Sequence, residues 1–312
     1  MTSKRIAFVF PGQGSQFVGM GRSLYGSSDG ARHVFQQADE ILGFSLSSLC
    51  FNGPENELED TINAQPAILA ASIAFLEALR EHWSQQDEGI EPAYVAGHSL
   101  GEFSALVAAG VLDFADALLL VRERGRLMKE AGETQPGGMA AVIGLDPEKL
   151  EEICAEASSV GTVVVANDNC PGQVVISGEI AALERAMVLA REHRAKRVLR
   201  LGVSIASHSP LMAPAAQQFT DVVDRVTLRD PLVPVVGNVR AEGLTTAAEV
   251  RAELCAQMIR PVRWTDSVRW MAENGAGTFL EIGPGKVLKG LIRRIRSDAT
   301  QLTIKDFGLE GE

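Results

Sequence analysis

The sharpest chemical signal in the sequence is the pentapeptide Gly97-His98-Ser99-Leu100-Gly101. It matches the G-x-S-x-G pattern, in which a serine occupies a tight turn between a strand and a helix. Small residues two positions before and after the serine permit this turn and leave its hydroxyl exposed. Backbone N–H groups at the helix N-terminus then face the oxyanion that develops during attack on an acyl carbon. The pattern predicts that Ser99 is a nucleophile.

A serine hydroxyl needs a general base to become nucleophilic at neutral pH, and the chain has five histidines. His208 stands in a non-periodic stretch of small polar residues, 204–210, which is typical of an accessible loop. Two interpretations of His208 remain open, a general base or a loop histidine bonded to neighbouring hydroxyls. The other four lie on polar or basic helical stretches, or beside the nucleophile where the turn directs the ring away. These are His33, His82, His193 and His98.

A second glycine-rich loop, 12–16, follows the first predicted strand. It is not a dinucleotide fingerprint, because Phe17 stands where the third glycine is required. A P-loop at Lys286 also fails, because Val287 replaces the required serine or threonine. What remains is a loop with free N–H groups at the carboxyl edge of a parallel sheet, where ligands bind. We expect this loop to supply a second oxyanion donor.

A cluster of charges marks the end of a predicted helix at 113–128. Arg122, Glu123, Arg124 and Arg126 follow each other closely, which is typical of a solvated helix face. An arginine directed inward would instead bind a carboxylate through two parallel hydrogen bonds. The pattern alone leaves both interpretations open.

The elements that must position these groups follow an α/β order. A short apolar strand at 6–10 ends at Pro11-Gly12, and a second strand at 94–96 runs into the serine turn. Strand, glycine turn and helix in this order predict parallel strands joined by crossover helices. Helices are predicted at 64–83, 100–109, 113–128, 213–226, 265–274 and 286–296, with further strands at 233–238 and 278–282.

The middle of the chain has a different pattern, β-α-β-β-α-β, which predicts an inserted ferredoxin-like unit at about 131–203. Its predicted elements are a strand at 138–145, a helix at 147–157 opened by Asp146, strands at 162–166 and 173–177 around a loop at 167–172, a helix at 180–194 and a strand at 197–201.

Composition narrows the function classes. The 312 residues are 46% hydrophobic and 22% charged, which excludes a disordered, collagenous or disulfide-scaffold protein. A net charge of −11 argues against a nucleic-acid partner. The four cysteines form no C-x-x-C pair, so we expect no metal site and free thiols in a reducing compartment.

No apolar run approaches the roughly 18 residues of a membrane span, and Asp113 and Asp116 interrupt the longest candidate, 105–121. The first apolar run, 6–10, is too short for a signal peptide. We therefore expect a cytoplasmic protein with no membrane partner.

Seven short blocks, in this order, resemble the malonyl-CoA:acyl carrier protein transacylase family of fatty-acid synthesis, and the resemblance spans nearly the whole chain. It implies an α/β-hydrolase-like parallel-sheet core, residues 1–130 and 204–312, carrying a ferredoxin-like small domain, residues 131–203. The blocks are 10–16, 97–102, 122–125, Asn167 with 171–173, 207–208, Gln257 with 261–264, and 281–285.

The resemblance also implies a role for each site residue. Ser99 is the acylated nucleophile, His208 is its base, and the backbone carbonyl of Gln257 holds the imidazole in place of the usual aspartate. Arg124 pairs with the free carboxylate of the malonyl group. The remaining assignments are the backbone N–H groups of Gln13 and Leu100 as the oxyanion hole, and Asn167 near the site on the small domain. Cys170 replaces an expected serine and Phe103 a frequent tyrosine, and neither changes these assignments.

The implied reaction is a ping-pong transfer of malonyl from malonyl-CoA to the phosphopantetheine thiol of acyl carrier protein, with no cofactor. Carrier proteins are acidic, so docking on a chain of net −11 needs local basic surface. Two runs offer it, although solvated helix faces are the alternative for each. The docking candidates are Arg194, Lys196, Arg197, Lys286, Lys289 and Arg293.

Three other functions remain open at this point. A serine hydrolase would use the same turn, but it usually has an acid between serine and histidine in chain order, and none stands out. A carrier-binding scaffold with an inactive site is disfavoured by the joint presence of Ser99, His208 and Arg124. A polyketide acyltransferase with another extender unit is the nearest alternative, and Leu100 after the serine resembles the malonyl-type relatives.

Overall fold

A computed structural model describes residues 5–86 and 89–310, and a six-stranded sheet lies at its centre. The strand order is β10-β9-β1-β2-β7-β8, with every neighbouring pair parallel except the antiparallel pair β7–β8. The apolar N-terminal strand is therefore central, as its sequence predicts. The strands are β1 (Arg5–Phe10), β2 (Tyr94–Gly97), β7 (Val235–Val236), β8 (Gly243–Leu244), β9 (Ala276–Glu281) and β10 (Thr300–Thr303).

Helices cover both faces of this sheet, and alternate residues of β1 enter two different cores. Phe8 and Phe10 belong to the larger core, which includes residues of α2, α5, α6, α7 and α10, while Ala7 and Val9 pack with α12 and α13. The helices of this part are α1 (Arg22–Ser27), α2 (Asp29–Leu42), α3 (Leu46–Asn52), α4 (Glu55–Glu59), α5 (Thr61–Gln85), α6 (Gly101–Ala108), α7 (Phe114–Thr134), α10 (Ala213–Val223), α11 (Ala247–Gln257), α12 (Trp264–Glu273) and α13 (Val287–Ile295).

Helix α5 is the one described helix that is long and apolar enough to span a membrane, and most of it is buried inside the protein. It packs against α2 and α7 in the larger core. A helix that is apolar on all sides and enclosed by other helices is a core helix. The expectation that 105–121 is the longest apolar candidate is wrong, because the helix at residues 61–85 is the one described helix that is long and apolar enough to span a membrane.

The middle of the chain forms a separate four-stranded antiparallel sheet, in the order β4-β5-β3-β6. Two helices pack on it around a hydrophobic core of their own. The predicted fold class, a parallel-sheet core with a separate antiparallel unit, is confirmed, whereas the domain boundaries 1–130, 131–203 and 204–312 stay a prediction. The elements are β3 (Gly137–Ile143), α8 (Pro147–Ala157), β4 (Val163–Cys170), β5 (Gln173–Glu179), α9 (Ile180–Glu192) and β6 (Arg197–Arg200).

The predicted loop at 167–172 is wrong, because β4 continues to Cys170. The polar end of β4 still pairs with β5, but the register between the two strands shifts once before Asn167 and once after Asp168. The backbone of this segment also pairs with Val262, since Asp168 N–H donates to the Val262 carbonyl at 2.9 Å. This second partner, distant in sequence, holds the polar segment in extended form and joins Asn167 to the loop between α11 and α12.

Candidate active site

The turn between β2 and α6 holds Ser99 with a φ of 50°, in the left-handed region. Two glycines make this turn possible. A Cβ at Gly97 would lie 1.9 Å from the carbonyl carbon of Gly101, and a Cβ at Gly101 would lie 2.1 Å from the carbonyl oxygen of Phe10. Backbone atoms cannot yield at these distances, so any larger residue would open the turn.

Asn238, at the end of β7, locks the turn from the neighbouring strand. Its Oδ1 accepts from the Ser99 N–H at 2.6 Å, and its Nδ2 donates to the Gly97 carbonyl at 2.7 Å. The side chain is fully buried. Asn238 is not among the predicted site residues, although its place two residues after a buried parallel strand is the ligand-binding edge of such sheets.

His208 lies against Ser99, with its Nε2 2.8 Å from the serine Oγ. Its Nδ1 faces the carbonyl oxygens of Gln257 at 2.8 Å and Arg260 at 3.2 Å. Because both oxygens only accept, Nδ1 carries the proton and Nε2 keeps a free lone pair toward the hydroxyl. The imidazole therefore faces Ser99 and two carbonyls, not the hydroxyls of its sequence neighbours.

The environment keeps this imidazole neutral. Burial, followed by the positive charge of Arg124, lowers the pKa of His208 to about 3. A neutral ring at pH 7 can accept a proton from the serine. No carboxylate is among the hydrogen-bond partners that the structure gives His208, so two carbonyl oxygens orient the ring.

Of the three neighbouring arginines, only Arg124 points into the site. It is 1% exposed, and its Nη2 donates to Ser99 Oγ at 3.2 Å and to Gln257 Oε1 at 2.9 Å, while Nη1 donates to Gln65 Oε1 at 2.8 Å. Burial lowers its pKa to about 10, and the carboxyl of Glu102 opposes that shift. The guanidinium is therefore a buried cation at neutral pH, surrounded by neutral oxygens.

The other two arginines of the cluster serve different contacts. Arg122 lies over the ring of Phe44, 4.6 Å from its centroid. Arg126 is on the outer face of α7 and forms ion pairs with Glu123 and Glu130. The solvated interpretation of the charge cluster is thus correct for Arg126 and wrong for Arg124.

The loop after β1 comes close to the serine turn. A Cβ at Gly12 would lie 2.3 Å from the carbonyl oxygen of His98, so only glycine permits this approach. The backbone N–H groups of Gln13 and Leu100 have no hydrogen-bond acceptor within residues 5–86 and 89–310. Both residues line the cavity that contains Ser99, and their role as an oxyanion hole stays a prediction.

The small unit supplies the opposite wall. Asn167 is 7% exposed, and its Oδ1 is buried without a partner among the described residues. Two positions along β4, Asn169 accepts from His98 through a contact of 2.8 Å between Oδ1 and Nε2. Burial lowers the pKa of His98, and its ring faces Asn169 rather than the hydroxyl of Ser99.

These residues enclose a cavity of about 570 Å³. Ser99, His208, Arg124 and Asn167 line it, together with further polar side chains, several of them from the 12–16 loop, and a set of apolar ones. A site of this size suits a small acyl group attached to a longer chain. Within the described part of the chain, no group of three or more His, Cys, Asp or Glu could hold a metal ion. The apolar lining includes Met128, Met139, Val175, Leu201, Val203, Ile205, Val287, Leu288 and Leu291.

A serine on a strand-to-helix turn, with a neutral imidazole at hydrogen-bond distance, is the arrangement of a serine-dependent acyl-transfer enzyme. Comparison with known proteins agrees with this class. The family described as acyl transferase domain matches residues 7–305.

Individual relatives narrow the class. The malonyl CoA-acyl carrier protein transacylase of Bacillus subtilis (strain 168) is 46% identical over 303 residues, which are 97% of this chain and 94% of that protein. The crystal structure of an acyl carrier protein S-malonyltransferase from Vibrio cholerae is 42% identical with a TM-score of 0.91, covering 96% of both chains. A malonyl-transacylase solved in complex with a type II PKS acyl-carrier protein is 44% identical with a TM-score of 0.90, covering 96% of this chain and 95% of that one. This chain belongs to the acyl transferase family, in its branch of malonyl CoA-acyl carrier protein transacylases.

Proposed function

We propose that this protein transfers a malonyl group from malonyl-CoA to the phosphopantetheine thiol of acyl carrier protein, in fatty-acid biosynthesis, through a malonyl ester on Ser99. One observation carries the proposal. The Ser99 hydroxyl oxygen lies between His208 Nε2 at 2.8 Å and Arg124 Nη2 at 3.2 Å. The nucleophile therefore stands between a neutral base and a cation without a carboxylate partner.

In the first half-reaction, His208 Nε2 takes the proton of Ser99 as Oγ attacks the thioester carbonyl. The negative charge that develops on the carbonyl oxygen faces the N–H groups of Gln13 and Leu100. When the intermediate collapses, the C–S bond breaks and the CoA sulfur takes the proton from the His208 imidazolium. A malonyl-serine ester remains on the enzyme.

In the second half-reaction, the carrier thiol occupies the position that CoA has left. His208 Nε2 takes the thiol proton, the sulfur attacks the ester carbonyl, and the C–O bond to Ser99 breaks. The serine oxygen then recovers the proton from His208. The same base acts in both directions, which a neutral imidazole with a fixed Nδ1–H can do. The reaction needs no cofactor besides the CoA thioester.

Arg124 gives the site its preference for an acyl group with a free carboxylate. A malonyl carboxylate would supply the anion that the buried guanidinium lacks among its present partners, Gln65, Gln257 and Ser99. Asn167, with its buried Oδ1 unpartnered among the described residues, lies across the cavity and supports the acyl chain.

The carrier protein docks, in this proposal, on the basic side chains around the cavity mouth. Lys286 is exposed and directly precedes Val287 and Leu288, which line the cavity. On the small unit, Arg194, Lys196 and Arg197 are exposed on the segment that leads into Leu201, another lining residue. Lys289 and Arg293 follow along α13, where they line a second cavity together with Lys286, and Lys289 pairs with Asp306 at 3.3 Å. Lys286→Glu should raise the KM for the carrier protein with little change for malonyl-CoA, whereas Arg225→Glu, an exposed control after α10, should leave both unchanged. An unaltered carrier KM in Lys286→Glu contradicts this docking surface.

We also infer a cytoplasmic location, where both substrates of the proposed reaction occur in a reducing compartment. The four cysteines are free thiols in the described structure.

The decisive experiment follows the acyl group by intact-mass measurement. Mixing with malonyl-CoA should add one malonyl group to Ser99, and holo-carrier protein should then remove it and gain the same mass. Ser99→Ala should form no adduct, while Ser207→Ala, a serine lining the same cavity, should still form it. An adduct that water removes as fast as the carrier does would instead identify a hydrolase.

A further inference from the structure

Behind the serine turn, the side-chain amide of Gln257 joins three groups. Its Nε2 donates to the Ser99 carbonyl at 3.0 Å and to Glu102 Oε2 at 2.7 Å, and its Oε1 accepts from Arg124 Nη2 at 2.9 Å. Glu102, Gln257 and Arg124 are each 1% exposed. The amide is therefore in contact with the nucleophile's backbone, a buried acid and the buried cation at once.

The chemistry of its partners determines how this amide is oriented. A guanidinium only donates, so it requires the Oε1 side, and a backbone carbonyl only accepts, so it requires the Nε2 side. Glu102 adds a second acceptor on the Nε2 side. A reversed amide would place Oε1 against both the Ser99 carbonyl and Glu102, and its NH2 against Arg124. Glu102 thus strengthens the one orientation that presents an oxygen to Arg124.

The same amide lies between the carboxyl group of Glu102 and the guanidinium of Arg124. In the part of the chain that the structure describes, Arg124 forms no ion pair within 4.0 Å, and Glu102 reaches it only across Gln257. Burial, and then the carboxyl of Glu253, raise the pKa of Glu102. Direct pairing of Glu102 with Arg124 would occupy the cation that the substrate carboxylate needs.

We propose that Glu102 is a positioning residue for recognition of the substrate carboxylate, holding Arg124 Nη2 beside Ser99 Oγ through the Gln257 amide. This inference rests on the proposed function, because it assumes an acyl group with a free carboxylate. Glu102 does not line the cavity; it reaches the substrate carboxylate through Gln257 and Arg124, and it reaches the serine turn through the backbone N–H of Asn238.

The test compares malonyl-CoA with acetyl-CoA, which has no carboxylate. Glu102→Met fills the volume but removes the acceptor, so Gln257 can turn and Arg124 loses its fixed position. The KM for malonyl-CoA should rise about tenfold while kcat changes less than about threefold, because one hydrogen bond to a charged group is weakened. Acetyl transfer should not change. Glu102→Gln keeps an oxygen acceptor and should stay within about threefold of the wild-type malonyl KM.

Two further variants separate this role from a structural one. Glu253→Gln alters the second buried acid, which accepts from the Val239 N–H at 2.5 Å and does not contact Gln257; it should keep the ratio of malonyl to acetyl transfer. Gln257→Met preserves the backbone carbonyl that His208 uses, and should lower that ratio. The double variant Glu102→Met with Gln257→Met should match Gln257→Met alone, since Glu102 acts through the amide.

Several results would overturn the proposal. They are an equal loss of kcat for malonyl and acetyl groups in Glu102→Met, an impairment of Glu102→Gln as large as that of Glu102→Met, and the same change of ratio in Glu253→Gln. Should Glu102→Met fail to fold, an unchanged ratio in Gln257→Met would overturn it. Formation of the malonyl adduct on wild-type Ser99 is measured first, and its absence would count against the proposed function instead.

Discussion

Helix α7 has a buried arginine on its inner face and a partly exposed, ion-paired arginine on its outer face. Arg124 is 1% exposed and contacts three neutral oxygens. The side chain of Arg126, two residues later, is 41% exposed and pairs with Glu123 at 2.6 Å and with Glu130. Two residues rotate a helix by about 200°, so neighbours of one type in the sequence face opposite environments.

The two environments shift the pKa values in opposite directions. Hydrogen bonds that Arg126 donates to the carboxylates of Glu123 and Glu130 raise its pKa, whereas burial lowers the pKa of Arg124 to about 10. A buried cation without a local anion costs stability, which a substrate carboxylate can restore. The exposed ion pairs contribute little, on the order of 0–1 kcal/mol each. In the proposed function, the inner arginine binds the substrate carboxylate, whereas the outer one pairs with acids of its own helix.

The largest expected effect follows from removing the inner arginine, and it concerns the choice between malonyl and acetyl groups. Arg124→Ala should lower kcat/KM for malonyl-CoA by about 2–5 kcal/mol, tens- to thousands-fold, because the carboxylate loses its buried partner. Acetyl transfer should be spared or raised. Arg126→Ala should change neither rate, as measured with both CoA thioesters. An equal loss for both acyl groups in Arg124→Ala would show that the guanidinium has no part in choosing the substrate.

A smaller effect, on stability, is expected when the glycine between the two arginines is replaced. A Cβ at Gly125 would lie 2.6 Å from the Thr61 carbonyl oxygen and 3.0 Å from the Ile62 Cα, both backbone atoms of α5. Gly125→Ala should therefore lower the free energy of unfolding by about 1–3 kcal/mol, measured by urea denaturation. Gly26→Ala, in α1 with open space around it, should not destabilise the protein. A Gly125→Ala protein of wild-type stability would mean that α7 can move away from α5.

The inner arginine should also affect the pH dependence of the first half-reaction. Protonation of His208 Nε2 removes the lone pair that accepts the serine proton, so activity should fall as the pH falls. Because the pKa of His208 is lowered to about 3, the acid limb of malonylation should lie well below pH 6.5. Arg124→Ala removes one cause of that shift and should move the limb toward neutral pH, while Arg126→Ala should not. Single-turnover malonylation across a pH series measures this, and identical limbs in all three proteins would contradict it.

The smallest effect belongs to the outer face. Glu130→Ala removes one partner of Arg126, an exposed i,i+4 pair, and should cost about 0.3–0.5 kcal/mol in unfolding free energy. The loss should shrink further at high salt. A cost above about 1 kcal/mol would indicate that the outer face contributes more than exposed ion pairs normally do.

Local patterns predicted the elements around the site well. The serine turn is recognisable because its glycines and its flanking strand are contiguous, and α8 begins at Pro147 and ends at Ala157 as predicted. Helix α11 was missed because the apolar residues of its sequence form no single stripe. Helices α1, α3 and α4 are hard to predict because they have only 6, 7 and 5 residues, whereas α2, with 14 residues, is long enough for its apolar spacing to be recognised.

The inner shell of the site was harder to predict, for a physical reason. Gln65, Glu102 and Asn238 come from three separate elements, and each acquires its contact only when those elements pack together. Likewise, the pattern of residues 122–126 fits either face of a helix. Which arginine is buried depends on the packing of α7 on α5 at Gly125, and that contact is not visible in the sequence of α7 alone.

Gly12 lies so close to the serine turn that a methyl carbon at position 12 would be 2.3 Å from the His98 carbonyl oxygen. A substitution there should therefore separate the rate of acyl transfer from the binding of the acyl donor. A Gly12→Ala substitution would push the 12–16 loop away from the serine turn by roughly an ångström, enough to widen the gap between two N–H groups that lie on different segments. The hydroxyl, the imidazole and the guanidinium would keep their mutual contacts. Such a protein would still take up its acyl donor, but turnover would slow because the carbonyl oxygen meets only one of its two donors.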